Sequence, residues 1–357
     1  MLGFICNCRF IPVCTFRPPD ANNRVGLTLD ARHGRAFIGR NRYDSTRVLV
    51  WDPTTDERWK LPPSPHADPH WGDPNEAMLC AATGSGACDH LDCHGGHFIV
   101  VSVVNTINNT EISLCVYSSE AGVWSKPTTF VTDRDYFLDR VPSALAGNTL
   151  CFSAAKGTHA LMYDLAAHEA YFISLPQPLV YLRCATALVT MKDGGLGVAQ
   201  LDESATLSLW SLGVIPDGDV GMAWTQIRVI ELDKLLPAKA HSIWPAFVGF
   251  THDVGVFFLG TDDGLFTFDL LSGEVRKVCE EACGRYGIGC VFPYMSFYTP
   301  ELVTLNDIYK TCPQRHRVTF ADEGPGVGAS STSKTQVAGA ILHIKKEVSR
   351  SRGLQKH

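Results

Sequence analysis

Charge is scarce in this sequence. Asp, Glu, Lys and Arg make up 19% of its 357 residues, against roughly 25% in an average soluble domain. Disordered chains are rich in charge and poor in apolar residues, so a 45% hydrophobic content excludes that class for the chain as a whole. The formal net charge of -6 offers no basic surface to nucleic acid or to an anionic membrane, and neither is expected as a partner. Long apolar runs are missing too. No stretch reaches the ~18 residues that read as a membrane helix. The opening MLGFICNCRFIPVCTF is broken by Asn7 and Arg9 and lacks the charged start and cleavage site of a signal peptide, so it reads as a strand pair.

Catalytic signatures are absent as well. There is no Gly-x-Ser-x-Gly elbow and no His-Glu-x-x-His helix. The glycine-rich GPGVGASS from Gly324 has no strand leading into it and no Lys-Ser/Thr directly after its glycines, which excludes a phosphate loop. The carboxylate pairs Asp133/Asp135 and Asp262/Asp263 read as solvated turn residues. Neither an enzyme nor a cofactor is expected. Convincing helical periodicity is nearly absent before residue 300.

Cysteine, by contrast, is abundant, with 13 residues. The number is odd, the spacing irregular, and Cys115, Cys151 and Cys184 sit inside apolar strands, where a free thiol acts as a small hydrophobe. A reduced, intracellular chain in the cytoplasm or the nucleus is expected. The sequon at Asn108 then goes unused.

The apolar residues fall into a repeat. RVLVWDPTTDERWKLP from Arg47, ISLCVYSSEAGVWSKP from Ile112, HALMYDLAAHEAYFISLP from His159, TLSLWSL from Thr206 with its partner WTQIRVIEL, and GLFTFDLLSGEVRKV from Gly264 share one form. An alternating strand ends in an aromatic (Trp51, Tyr117, Tyr163, Trp210, Phe268), a polar turn follows, and a second strand returns. Asp52-Pro53 sets the first turn, because proline fixes φ and Asp bonds forward to the main chain. A second hairpin precedes each unit, as in VGLTLDARHGRAFIG and VPSALAGNTLCFSAA. The repeat is thus four antiparallel strands, at the spacing of propeller blades. Five copies are visible. The leftover ends, GFICNCRFIPVCTF and GIGCVFPYMSFYTP, supply a sixth sheet, since a blade built from both ends of the chain closes a ring without free edges. The expectation is an all-β, six-bladed propeller of four-stranded blades over residues 1–300. Over residues 301–357 it is a short helix (ELVTLNDIYK) and then a disordered, basic tail.

These residues resemble a known family. VLVWDPTTDERWKLP from Val48 is similar to the strand–turn–strand signature of plant F-box-associated domains. DHLDCHGG from Asp89, VPSALAGNTLCF from Val141, FVGFTHDVGVFFLGTDDGLFTFDLLSG from Phe247 and VFPYMSFYTP from Val291 resemble its grass members. The resemblance implies a β-propeller that captures a protein target for a Skp–cullin ubiquitin ligase, behind an N-terminal F-box that docks on the Skp adaptor. The sequence shows no F-box before the propeller. Adaptor binding is therefore expected only if one lies upstream of Met1, and the target itself is unnamed.

Strand parity places the binding loops. Connections between blades, and between the second and third strands of a blade, emerge on one face. That face collects residues 63–77, 128–140, 177–183 and 237–244, with His70, Trp71, Arg134, Asp135, Tyr136, Arg140, His241 and Trp244 as partner-binding candidates. The opposite face carries Cys80, Cys88, His90, Cys93, His94 and His97. This is the densest cluster of zinc-type ligands, denser than Cys279, Cys283 and Cys290, but it lacks the C-x2-C knuckle of a strong site, and a long hairpin loop with incidental His and no metal is expected. Cys88, His90, Cys93 and His97 are its best ligands, and a propeller hydrolase or metal protein built on this region is the alternative reading.

Overall fold

The computed structural model describes residues 3–6, 9–12, 27–39, 48–67, 74–83, 93, 96–106, 111–132, 136–139, 141–176, 185–214, 222–236, 243–251, 255–280 and 290–295. The expected helix and disordered tail after residue 300 lie outside this set.

The described chain is a six-bladed propeller. β1 (Gly3–Cys6) and β2 (Arg9–Pro12) open it. Blade 1 is β3 (Leu27–Arg32), β4 (Arg35–Gly39), β5 (Leu49–Trp51) and β6 (Arg58–Lys60). Blade 2 is β7 (Asn75–Cys80), β8 (Phe98–Asn105), β9 (Glu111–Ser118) and β10 (Val123–Trp124). A further strand, β11 (Thr128–Val131), also pairs with β9, so residues 128–131, expected in a loop, are strand. Blade 3 is β12 (Ala144–Ala146), β13 (Thr149–Ala154), β14 (His159–Asp164) and β15 (Ala170–Ser174). Blade 4 is β16 (Ala185–Thr190), β17 (Leu196–Leu201), β18 (Thr206–Val214) and β19 (Met222–Glu231). Blade 5 is β20 (Ile243–Thr251), β21 (Val256–Thr261), β22 (Gly264–Asp269) and β23 (Val275–Cys279). Blade 6 joins β24 (Val291–Tyr294) to β1 and β2. Its register sets Gly3 against Tyr294 and Cys6 against Val291. The two ends of the propeller are thereby zipped into one sheet, of three strands among the described residues.

The blades pack face to face, and every gap between them is an apolar cluster. Phe37, Val50, Met78, Val100 and Tyr117 fill the gap between blades 1 and 2. Val101, Leu114, Leu150, Phe152 and Tyr163 fill the next. The series runs on to Phe10, Trp51, Phe292 and Tyr294 between blades 6 and 1. Period-2 alternation sends neighbours to opposite gaps: Leu150 and Phe152 face blade 2, while Cys151 faces blade 4. A sheet buried on both faces has few places for charge, which accounts for the scarcity seen in the sequence.

The repeated turn is real in geometry. In blades 1, 3 and 5 it opens on Asp52, Asp164 and Asp269, each accepting main-chain N–H groups two and three residues on. Each closes on a left-handed residue: Asp56 (φ 60), His168 (φ 57) and Gly273 (φ 71). In two of the three, Asn-like tolerance of that conformation replaces glycine's freedom, so the repeat survives without a shared glycine.

Among the described residues no helix is long and apolar enough to cross a membrane.

Candidate docking face

Connections between blades emerge on one side of the ring, here the linker face. The described part of that face is dominated by the corner between blades 2 and 3. Asn105, at the end of β8, brackets the main chain on both sides of Phe137: its Nδ2 donates to the Tyr136 carbonyl and its Oδ1 accepts from Leu138 N at 2.9 Å. Ala155 N donates to the Phe137 carbonyl at 2.8 Å. Asp139 ties down the next residue. Its carboxylate accepts from Ser153 Oγ (2.7 Å), Lys156 N (2.9 Å) and Gly157 N (2.7 Å). Ala155, Lys156 and Gly157 are three consecutive left-handed residues, with φ of 53, 57 and 75 degrees. Such a run turns its N–H groups toward one anion, here Asp139. Only glycine fits at 157, where a Cβ would meet Thr186 at 2.7 Å.

The bracket fixes which side chains reach solvent. Tyr136, a candidate binder, turns inward: it is 9% exposed, and its ring stacks on Phe172 with centroids 4.2 Å apart. Its neighbour Phe137 turns outward at 37% exposure, and Val131, at the end of β11, is 80% exposed. Lys156, next in the chain after the Ala155 that bonds the Phe137 carbonyl, is also exposed. The sequence offered no periodicity in this loop from which to tell Tyr136 from Phe137. Of the other candidates, His70, Trp71, Arg134, Asp135, Arg140 and His241 lie outside the described residues. Trp244 falls in β20, with its side chain outside that set.

On the opposite face Cys93 is buried and His97 exposed, while Cys88 and His90 lie outside the described residues. Among the described residues no group of three His, Cys, Asp or Glu side chains could hold a metal ion. Cys80 is buried at the end of β7, its N–H donating to His33 Nδ1 at 2.9 Å. Arg35 lies in the same region, buried between Trp59 and Phe98 at 5.4 and 5.3 Å from their centroids and donating to the Gly96 carbonyl.

A polar cluster that the sequence did not announce closes the gap between blades 1 and 2 on the linker face. The 3-10 turn Pro65–Ala67 drops His66 onto Ser102 (Nδ1, 3.1 Å) and Ser113 (Nε2, 2.9 Å), with Cys115 Sγ at 3.7 Å. Ser102 also bonds the carboxyl of Glu76, which is enclosed although part of that residue reaches solvent. A His beside a Cys invites a catalytic reading, but burial pushes the His66 imidazole down to about 4 and the Cys115 thiol up to about 12. Both are neutral at physiological pH, so the pair offers no thiolate nucleophile.

Glu76 and His66 do carry opposed pH dependences. Burial raises Glu76 from 4.5 to about 7. The folded state therefore holds its proton more tightly, and this contribution is full below pH 4.5 and lost as pH rises to 7. His66 is lowered from 6.5 to about 4, so its contribution is full above pH 6.5 and lost as pH falls to 4. In the shared window the slopes oppose each other. Glu76→Gln should unmask a midpoint that falls on acidification below pH 6.5, and His66→Gln one that falls as pH rises from 4.5. Thermal melts across pH 4.5–7 read both, and parallel profiles for the two variants would contradict the assignment.

A family model described as "F-box protein AT5G49610-like, beta-propeller" matches residues 28–302. No curated protein sequence matches the chain. Solved structures similar to it include an oligogalacturonate lyase from Vibrio parahaemolyticus, with TM-score 0.37 and 10% identity over 72% of this chain and 65% of that one. The WD40 domain of SCAP from fission yeast gives 0.37 and 11%, over 74% and 55%. The Cps50 (Swd1) propeller of Myceliophteria thermophila gives 0.38 and 10%, over 73% and 90%. The chain thus spans less than two thirds of the lyase and of the SCAP domain.

Proposed function

The chain belongs to the F-box-protein β-propeller family, and from that premise we propose that it is a non-enzymatic target-recognition module whose linker face docks a protein. The family match carries the reading. The geometry that supports it is the corner of blades 2 and 3, where a rigid main-chain bracket holds Phe137 in solvent. An apolar side chain left 37% exposed on a main chain held by hydrogen bonds on both sides is useful for binding, because little ordering cost remains to be met on docking. Joined to an F-box, such a propeller would bring its target to a Skp–cullin ligase in the cytoplasm or nucleus.

The test is in cells. Affinity-tagged protein expressed from its own locus, with whatever precedes Met1 retained, should co-purify with Skp adaptor and cullin. Loss of the gene should raise the abundance of a co-purified target. If neither adaptor nor target is recovered and no protein changes in abundance, the ligase reading falls.

A further inference from the structure

Residues 61–67, leaving blade 1 for blade 2, form a strap on the linker face. Its near end is fixed: Leu61 is buried, and the Pro62 carbonyl accepts from Trp124 Nε1 at 3.0 Å. Beyond that, Pro63 and Pro65 are exposed and Ser64 is half-buried. His66, 3% exposed, is the one buried side chain of residues 62–66. It pins the strap to blade 2 through an imidazole whose two nitrogens both meet hydroxyls, Ser102 and Ser113. Beneath the strap Glu76, Ser102 and Cys115 stand opposite one another on β7, β8 and β9. Glu76 and His66 share the Ser102 hydroxyl. Cys115 Sγ lies 3.9 Å from Ser64 Oγ and 3.7 Å from His66 Nδ1.

A hydroxyl has one proton to donate. With Glu76 protonated, donation runs from Glu76 to Ser102, from Ser102 to His66 Nδ1, and from His66 Nε2 to Ser113. An ionised Glu76 takes the Ser102 proton for itself, and every bond down to the pin reverses. Burial is the larger effect on Glu76 and the Ser102 hydroxyl the smaller; no cation offsets them. Of the charged groups around it, Arg32 on β3 is paired with Asp30, and Asp139, whose carbonyl accepts from Asn75, has its carboxylate bound into the turn at 153–157. Glu111, two residues before Ser113 on β9, is a further carboxylate, while Lys60 and Lys126 are exposed. Asp68, His70 and Asp73 of the same linker lie outside the described residues. An enclosed carboxylate with no cation is relieved by water, and lifting the strap admits it.

We propose that this strap is a proton-operated latch, seated on blade 2 while Glu76 holds its proton and lifted off Ser102, Ser113 and Cys115 when Glu76 gives that proton up. Burial raises Glu76 from 4.5 to about 7, so the seated strap holds the proton more tightly than the lifted one. Seating is therefore full below pH 4.5 and lost as pH rises to 7. His66, pushed down to about 4, stays neutral across that window. The latch works whether or not the linker face takes a partner.

The probe is iodoacetamide. Its labelling of Cys115 and Cys151 in the full chain is followed by peptide mass spectrometry from pH 5 to 8. Dividing the Cys115 rate in wild type by the rate in Glu76→Gln cancels the thiol's own pH dependence. That ratio should rise about tenfold or more between pH 5 and 7 and level off above. His66→Ala removes the pin, so its Cys115 should label fast already at pH 5. Cys151, buried between blades 3 and 4, should stay unlabelled in all three proteins, which separates a lifted strap from an unfolded ring. A flat ratio would overturn the proposal and assign any transition to Asp68, His70, Asp73 or Glu111. A Cys115 that stays protected in His66→Ala would overturn it too, as would labelling of Cys151 in step with Cys115.

Discussion

Gly249→Ala should break the ring at its closure. A Cβ at Gly249 in β20 would lie 2.3 Å from the Val291 carbonyl oxygen and 3.1 Å from its carbon. Both are main-chain atoms of β24, the strand that pairs with β1 and completes the circle. A flexible side chain could swing away, but here all of blade 6 would have to retreat. Val291 is buried with Phe4, Phe258 and Leu265, so the retreat also opens an apolar gap. Overpacking that shifts backbone costs about 1–3 kcal/mol, a sizeable share of the roughly 5–15 kcal/mol that holds a typical domain together. The matched control is Gly213→Ala in β18, where a Cβ meets nothing within 4 Å; its effect should stay within about 0.5 kcal/mol. Denaturant midpoints of the two variants decide. Equal losses would mean that the contact between β20 and β24 does not limit stability.

The blades were legible because they repeat. Trp51, Tyr163 and Phe268 mark the same point in blades 1, 3 and 5, and each is followed by an Asp that sets the same turn, so a pattern too weak in one copy became strong in several. The closing blade was legible by subtraction, two apolar orphans being one sheet short of a ring. What could not be read is contact between residues far apart in sequence. Gly249 looked like any strand glycine, although glycine inside a strand does point to a close approach. His66 sat in a proline-rich linker with nothing to tie it to Ser102 and Ser113. On the linker face the sequence could not choose between neighbours. Tyr136 and Phe137 differ by one position in an irregular segment, and only the Asn105 bracket decides which of them is turned to solvent.

Asp30→Ala should be the most damaging change to a polar residue, and the reason lies in how three blades meet. Asp30 is 3% exposed on β3, in the innermost layer of blade 1. One carboxylate oxygen accepts from Met78 N on β7 of blade 2 at 2.9 Å, and the other from Ala31 N at 2.9 Å and Arg32 Nε at 3.1 Å. Arg32 then reaches Ser143 before β12, donating to its carbonyl and to its Oγ. Burial raises the Asp30 carboxyl above its ordinary 3.8 in spite of Arg32, so the site is costly to ionise, yet its hydrogen bonds are made by the carboxylate. Removing Asp30 alone strands the Arg32 guanidinium, whose Nη1 is already without a hydrogen-bond partner. Breaking a buried pair in this way costs about 3–5 kcal/mol. Asp30→Ala with Arg32→Met removes both charges and should be more stable than Asp30→Ala alone, although it has also lost the two hydrogen bonds to Ser143. The signature is therefore non-additivity in a double-mutant cycle read by chemical denaturation. If Arg32→Met instead adds its full cost to Asp30→Ala, the two residues act independently, and the link from blade 1 to Ser143 does not depend on Asp30.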